Sequence, residues 1–225
     1  MRLLYVFIVL FFCCNQDIKT RNRSNEYAKD TTFSSSYNCI DSLVLRKNNP
    51  LSFKLVKQDK DVDHGDNIVI YTHEKDDLKI CYDKMSSKYN LIFNSNIVSD
   101  SSWTKWASIY SMDITNITCY FFSWKGSKYY MLINNNGQST GLAANYFQVF
   151  IYNVTINKVY DFNTMSDKPT AIGVSENGEN LEFIRISLDE EYFHKQSSGT
   201  PLEVEVLEPS KDKWRLKSMR KNYCK

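Results

Sequence analysis

The chain has 225 residues, of which 42% are hydrophobic and 24% charged, values that argue against a disordered chain, a collagen-like repeat and a polytopic membrane protein. One domain, or two small ones, fits that length. The net charge of +2 leaves no positive excess for a nucleic-acid footprint, so no nucleic-acid partner is expected.

Arg2 precedes an apolar run from Leu3 to Phe12, which ends at Cys13-Cys14 and a polar switch at Asn15-Gln16-Asp17. A membrane-spanning helix needs ~20 apolar residues, whereas the apolar part of an export signal needs only ~7–15. Cysteine at the expected cleavage point resembles the leader of bacterial lipoproteins, in which the thiol is acylated and the cysteine becomes the mature N-terminus. The resemblance covers residues 1–14 alone. It implies a signal peptide over 1–13, lipidation at Cys14, export, and anchoring to a membrane of the cell envelope through the lipid. Phe11 and Phe12 depart from the small residues such leaders carry, and an ordinary secretory leader is the alternative; export follows from both.

Residues 15–38 are polar, with scattered apolar groups and no helical or strand period, and read as a tether, with a short helix near Glu26–Asp30 as an alternative. From Cys39 onward an all-β domain over 39–225 is expected. Ile40–Arg46, Ser52–Lys57, Asn67–His73, Leu78–Asp83 and Tyr89–Phe93 have strand length and composition, separated by turn residues such as Asn48-Asn49-Pro50 and Asp76-Asp77. Trp103, Trp106, Ala107 and Tyr110 share a helical face, which allows one short helix over Trp103–Tyr110. Ile117–Trp124, a turn at Lys125-Gly126-Ser127 and Tyr129–Ile133 form a hairpin pattern. Ile117–Trp124 and Tyr146–Tyr152 are apolar on both faces, so both need cover on either side, whereas Leu202–Val206 alternates with Glu203 and Glu205 and predicts one wet face. Thr170–Ser175 and Asn180–Leu188 flank Glu176-Asn177-Gly178-Glu179, a signal for a two-residue type of hairpin turn, and Lys213–Met219 supplies a last strand. The fold class that follows is all-β, an antiparallel sandwich or barrel with a small propeller as the alternative.

Four cysteines follow the leader: Cys39, Cys81, Cys119 and Cys224. Their even number in an exported chain predicts disulfides, and a Cys39–Cys224 pair would close the domain at its two ends. Asp59-Lys60-Asp61-Val62-Asp63-His64-Gly65-Asp66 has the alternating carboxylates of a calcium loop, yet His64 and Ile70 stand where an EF-hand needs glycine and glutamate, so the segment reads as a turn and no metal or other cofactor is expected. The 14% of aromatic residues would serve a glycan platform if exposed, or cross-strand packing if not. Asn22, Asn116 and Asn153 begin N-x-[ST] triplets.

Gly137-Gln138-Ser139-Thr140-Gly141 resembles, over five residues, the nucleophile elbow of α/β-hydrolases, with Asp161, Asp167 or Asp189 and then His194 in the family's order. An elbow needs a strand running straight into the first glycine and a helix after the second. Asn134-Asn135-Asn136 and the brief Leu142–Asn145 leave no room for that. Residues 134–145 are therefore expected to be a surface loop in which Asn136, Gly137, Ser139 and Gly141 meet a ligand. The function expected is an envelope binding or interaction module for a protein or glycan, with a serine hydrolase using Ser139, Asp189 and His194, and a structural surface protein, as alternatives.

Overall fold

The computed structural model describes residues 31–45, 49–59, 68–100, 103, 114–135, 146–189, 199–210 and 213–224. Among them one α-helix, α1 (Thr31–Val44), precedes thirteen strands: β1 (Lys54–Val56), β2 (Ile68–His73), β3 (Asp76–Asp83), β4 (Lys88–Phe93), β5 (Asn96–Ile97), β6 (Ile117–Trp124), β7 (Ser127–Asn135), β8 (Phe147–Asn153), β9 (Lys158–Thr164), β10 (Ile172–Val174), β11 (Leu181–Leu188), β12 (Thr200–Pro209) and β13 (Trp214–Cys224). They pair antiparallel into three open sheets: a central one in the order β1-β6-β7-β8-β9, an N-terminal one β2-β3-β4-β5, and a C-terminal one β10-β11-β12-β13. The fold is a sandwich; none of the sheets closes into a barrel.

The two-sided apolar pattern of β6 to β8 has its cause in this layering. On β7, Tyr130 and Leu132 join Val69, Tyr71, Leu78, Ile80 and Leu91 of the N-terminal sheet in one core. The alternate residues Met131 and Ile133 join Phe183, Ile186, Leu202 and Val204 of the C-terminal sheet in the other. Successive side chains of a strand point to opposite faces, so the middle of a strand between two cores is apolar on both sides, while β6 exposes Thr118 and Ser123 nearer its ends. Tyr71, fully buried on β2, donates from its hydroxyl to the Ile117 carbonyl at 2.7 Å and ties the N-terminal sheet to the central one.

Tight turns set the register. Asn94-Ser95 (φ 45° and 68°) and Lys125-Gly126 (φ 47° and 76°) place both central residues in the left-handed region that two-residue hairpins require. The Glu176–Glu179 connection is a hairpin turn too, but a four-residue one. Ser175 N–H donates to the Asn180 carbonyl at 2.8 Å and Gly178 N–H to the Ser175 carbonyl at 2.8 Å, so only Gly178, at φ 69°, is left-handed. Asn177 instead accepts at Oδ1 from the Ser175 hydroxyl (2.6 Å) and from Glu179 N–H (3.1 Å).

Two expectations are corrected. The segment Ile40–Arg46, expected as a strand, and the end of the expected tether at residues 31–38 contribute to α1. Ile40 and Val44, four residues apart, stack on one helical face and bury 4% and 0% exposed against the core beneath the C-terminal sheet, with Leu43 beside them. The short helix expected at Trp103–Tyr110 lies outside the described residues apart from Trp103, which is buried, packs 4.8 Å from the Phe150 ring and donates its indole N–H to the Tyr89 carbonyl at 2.9 Å.

Candidate functional site

Cys14, Asn136, Gly137, Ser139, Gly141 and His194 lie outside the described residues, as do Asp61–Asp66. The frame around the Ser139 segment is described. Strand β7 continues to Asn135, so Asn134 belongs to a strand and not to the expected loop, and β7 pairs antiparallel with β8 from Asn135↔Phe147 to Tyr129↔Asn153. The segment thus joins two antiparallel neighbours, whereas an elbow joins a strand of a parallel sheet to a helix. At its base Asn134 and Gln148 are register partners, both fully buried, with the Asn134 amide donating to Gln148 Oε1 at 3.4 Å. Among the acids considered for a triad, Asp189 is 1% exposed and lies 3.0 Å from Lys221 Nζ, Asp167 lies 3.1 Å from Lys168 Nζ, and Asp161 sits on β9.

Of the cysteines, Cys39 and Cys224 form a disulfide with Cα atoms 5.7 Å apart, fastening α1 to the end of β13. Cys81 and Cys119 are free thiols, and burial pushes the Cys119 thiol far above its ordinary range, which keeps it protonated and unreactive. Among the described residues, no group of three or more His, Cys, Asp or Glu could hold a metal ion. No described helix is long and apolar enough to cross a membrane.

The aromatic residues mostly build cores. Phe122 stacks on Tyr129 at 4.8 Å, and Phe162, Phe183 and Trp214 cluster within 6.2 Å of one another. Tyr223, 46% exposed, is the aromatic among the exposed large side chains, while Tyr82 and Tyr89, with ring centroids 5.0 Å apart, are half-buried. A 60 Å³ cavity lies between the central and C-terminal sheets, walled by Phe122, Tyr129, Ile151, Tyr160, Ile172 and Trp214 among others. It is well below the ~150 Å³ that admits benzene, so it takes no ring-sized ligand as it stands. Of the N-x-[ST] asparagines, Asn116 is exposed, whereas Asn153 is 6% exposed and its Oδ1 accepts from Thr155 N–H (3.0 Å) and Ile156 N–H (3.4 Å) within a turn.

The part of the surface that sequence patterning misread belongs to the C-terminal sheet. Glu205, taken for a wet residue, is only 7% exposed, as are Glu182 and Glu208. Long cationic side chains lie over them: Arg185 Nε bonds Glu205, Arg215 reaches Glu208 at 2.9 Å, and Lys217 bridges Glu182 at 2.6 Å and Glu208 at 3.1 Å. Hydrogen bonds from Arg215 first and Lys217 next hold the Glu208 carboxyl below its ordinary value, and those to Glu182 and Glu208 raise Lys217. The stems of these cations cover the sheet while their heads stay in water.

Beyond them lies β13. All of its residues from Arg215 to Lys221 are exposed, although the strand is paired along its whole length with β12. Its register slips between Val206 and Leu207 of β12, leaving Lys217 as the extra residue of a bulge. Being last in the sheet order, β13 has one row of backbone N–H and C=O groups turned away from β12. Leu216 (50% exposed), Met219 (52%) and Tyr223 stand along the strand among Arg215, Lys217, Arg220 and Lys221.

No protein-family model, no characterised protein and no solved structure matches the chain.

Proposed function

We propose that the chain is an exported lipoprotein, held to the cell envelope by acyl chains on Cys14, whose all-β domain is a binding module for a protein partner. The observation that carries the binding reading is β13, an edge strand of 11 residues that offers exposed backbone, apolar and cationic groups together. Two observations weigh against the alternatives. The antiparallel β7–β8 pairing is not the frame of a serine elbow, and half of the largest fully buried side chains are aromatic, so much of the aromatic content goes into the cores. The anchoring rests on the truncated apolar run before Cys13-Cys14.

The test has two arms. In cells, detergent-phase partition should require Cys14, and intact-mass analysis should find a lipid-bearing N-terminus; Cys14→Ser protein that stays membrane-bound refutes the anchor. With purified protein, a fluorophosphonate probe should leave Ser139 unlabelled. Stoichiometric labelling that disappears in Ser139→Ala, with ester hydrolysis lost in parallel, replaces the binding module with a hydrolase.

A further inference from the structure

We infer that the edge of β13, which pairs with no further strand among the described residues, binds an extended acidic segment of a partner protein by adding it as a fifth strand to the four-stranded C-terminal sheet. The inference deepens the binding-module reading and rests on it. Strand addition draws affinity from main-chain hydrogen bonds and specificity from alternate side chains, and it needs a long edge, here bent once by the bulge at Lys217. β13 supplies 11 residues, with seven consecutive exposed ones, and is fixed at its end through the Cys39–Cys224 disulfide. A tethered strand loses little entropy on binding, since its backbone is already ordered against β12.

The charge on this edge selects the occupant. Residues 213–224 contain Lys213, Arg215, Lys217, Arg220 and Lys221 and no Asp or Glu. Arg215, Lys217 and Lys221 are drawn toward Glu208, Glu182 and Asp189 of the sheet itself, but Lys213 and Arg220 meet no carboxylate among the described residues. A second copy is a poor occupant. Its residues 213–224 bring the same five cations and no carboxylate side chain, so pairing two such edges sets cation-rich segments side by side, and like charges across a strand pair destabilise it. An acidic strand meets the same cations with opposite sign, and its apolar residues meet Leu216 on the face shared with Trp214. Basic residues on an edge also deter indiscriminate pairing, so one row of charges both repels other strands and admits this class.

The experiment uses the purified mature chain and a fluorescein-labelled peptide of alternating Glu and Val, as long as β13, read by fluorescence anisotropy. The Glu peptide should bind, with affinity falling as salt rises, and a Lys-Val peptide should bind about tenfold more weakly or worse. Two backbone-methylated peptides, one modified at every Glu and one at every Val, separate strand addition from plain charge attraction, because alternate amides of an added strand face the edge. One should lose about tenfold or more and the other should keep its affinity. Lys213→Glu/Arg220→Glu, which breaks no ion pair among the described residues, should weaken binding with far-UV circular dichroism unchanged. Equal binding of both methylated peptides, equal binding of the Lys peptide, or a dimer in sedimentation that the peptide does not dissociate, overturns the inference. Failure here with Cys14-dependent anchoring intact removes the edge site and leaves the envelope reading standing; loss of anchoring leaves the peptide result untouched.

Discussion

Replacing Cys39 and Cys224 together by Ala tests how far the domain depends on the covalent joining of its ends. The disulfide closes a loop with a sequence separation of 185, for which the chain-entropy relation gives about 5 kcal/mol of destabilisation of the unfolded chain at 25 °C. A domain of this kind has a total stability of ~5–15 kcal/mol, so the variant should be marginal at room temperature. Alanine is chosen because Cys224 is 1% exposed and a serine hydroxyl there would add a desolvation cost of its own. Guanidinium unfolding followed by tryptophan fluorescence, with oxidised wild type, reduced wild type and the double variant side by side, separates the covalent effect from packing: the last two should coincide. Ile40→Ala with the disulfide intact should cost about 2–5 kcal/mol through the cavity alone, showing that α1 contributes packing besides its link. The reasoning is refuted if reduction moves the unfolding free energy by less than about 1 kcal/mol, since loop closure on this scale cannot be so weak unless the reduced unfolded chain stays compact.

Gly178 sits at φ 69° with nothing within 4 Å of where a Cβ would lie, so Gly178→Val should cost about 1–2 kcal/mol from backbone strain alone and Gly178→Asn much less; equal costs in thermal unfolding would refute the assignment. Tyr71→Phe removes the donor to the Ile117 carbonyl in a buried site and should cost about 1–2 kcal/mol in chemical unfolding, and a neutral variant would show that the bond contributes nothing net. Glu208 is held below its free value of 4.5 by Arg215 and Lys217, so its stabilising contribution is full above that pH and is lost as the pH falls below it. Glu208→Gln should therefore flatten the acid limb of stability against pH and leave the neutral slope alone; superimposable acid limbs would contradict the ion-pair assignment.

The strands that could be read in the sequence were those whose environment repeats at the strand period. Ile117–Trp124 and Tyr146–Tyr152 carry apolar side chains in both directions because each lies between two cores, and that demand is visible in any single strand. The helix α1 hides because it has no acidic residue in its first turn and no basic residue in its last, and because Ile40 to Val44 satisfies a strand pattern as well as a helical one until the core beneath it is known. Strand β9 is disguised by Asp161 and Asn163, although Val159 and Phe162 are buried. At the candidate site the misreading has one physical source. Glu205 and Glu208 are polar by composition, yet they are buried by arginine and lysine stems arriving from β11 and β13, a cover that depends on strand order rather than on local pattern. The exposure of β13 is likewise a property of its place at the edge; its own sequence of alternating large and charged residues reads like any half-buried strand.

Among the described strands each sheet is nearly a meander of its own: β2–β5 follow one another between residues 68 and 97, β6–β9 between 117 and 164, and β10–β13 between 172 and 224. The longer reaches along the chain include β1, which leaves its chain neighbours to pair with β6, the Asn49 amide donating to the Ile172 carbonyl, α1 packed against the C-terminal sheet, and the disulfide. Pairing among neighbours in sequence keeps contact order low for an all-β protein, and such chains fold faster than Greek-key sandwiches of equal size. The order of synthesis then imposes a cost at one moment. The N-terminal sheet is complete before any residue of β6–β8 exists to cover Val69, Leu78, Ile80 and Leu91, so for that interval the nascent chain carries an apolar sheet face open to water. Aggregation and chaperone binding compete with folding at that stage, and the emergence of β7 and β8 ends the competition.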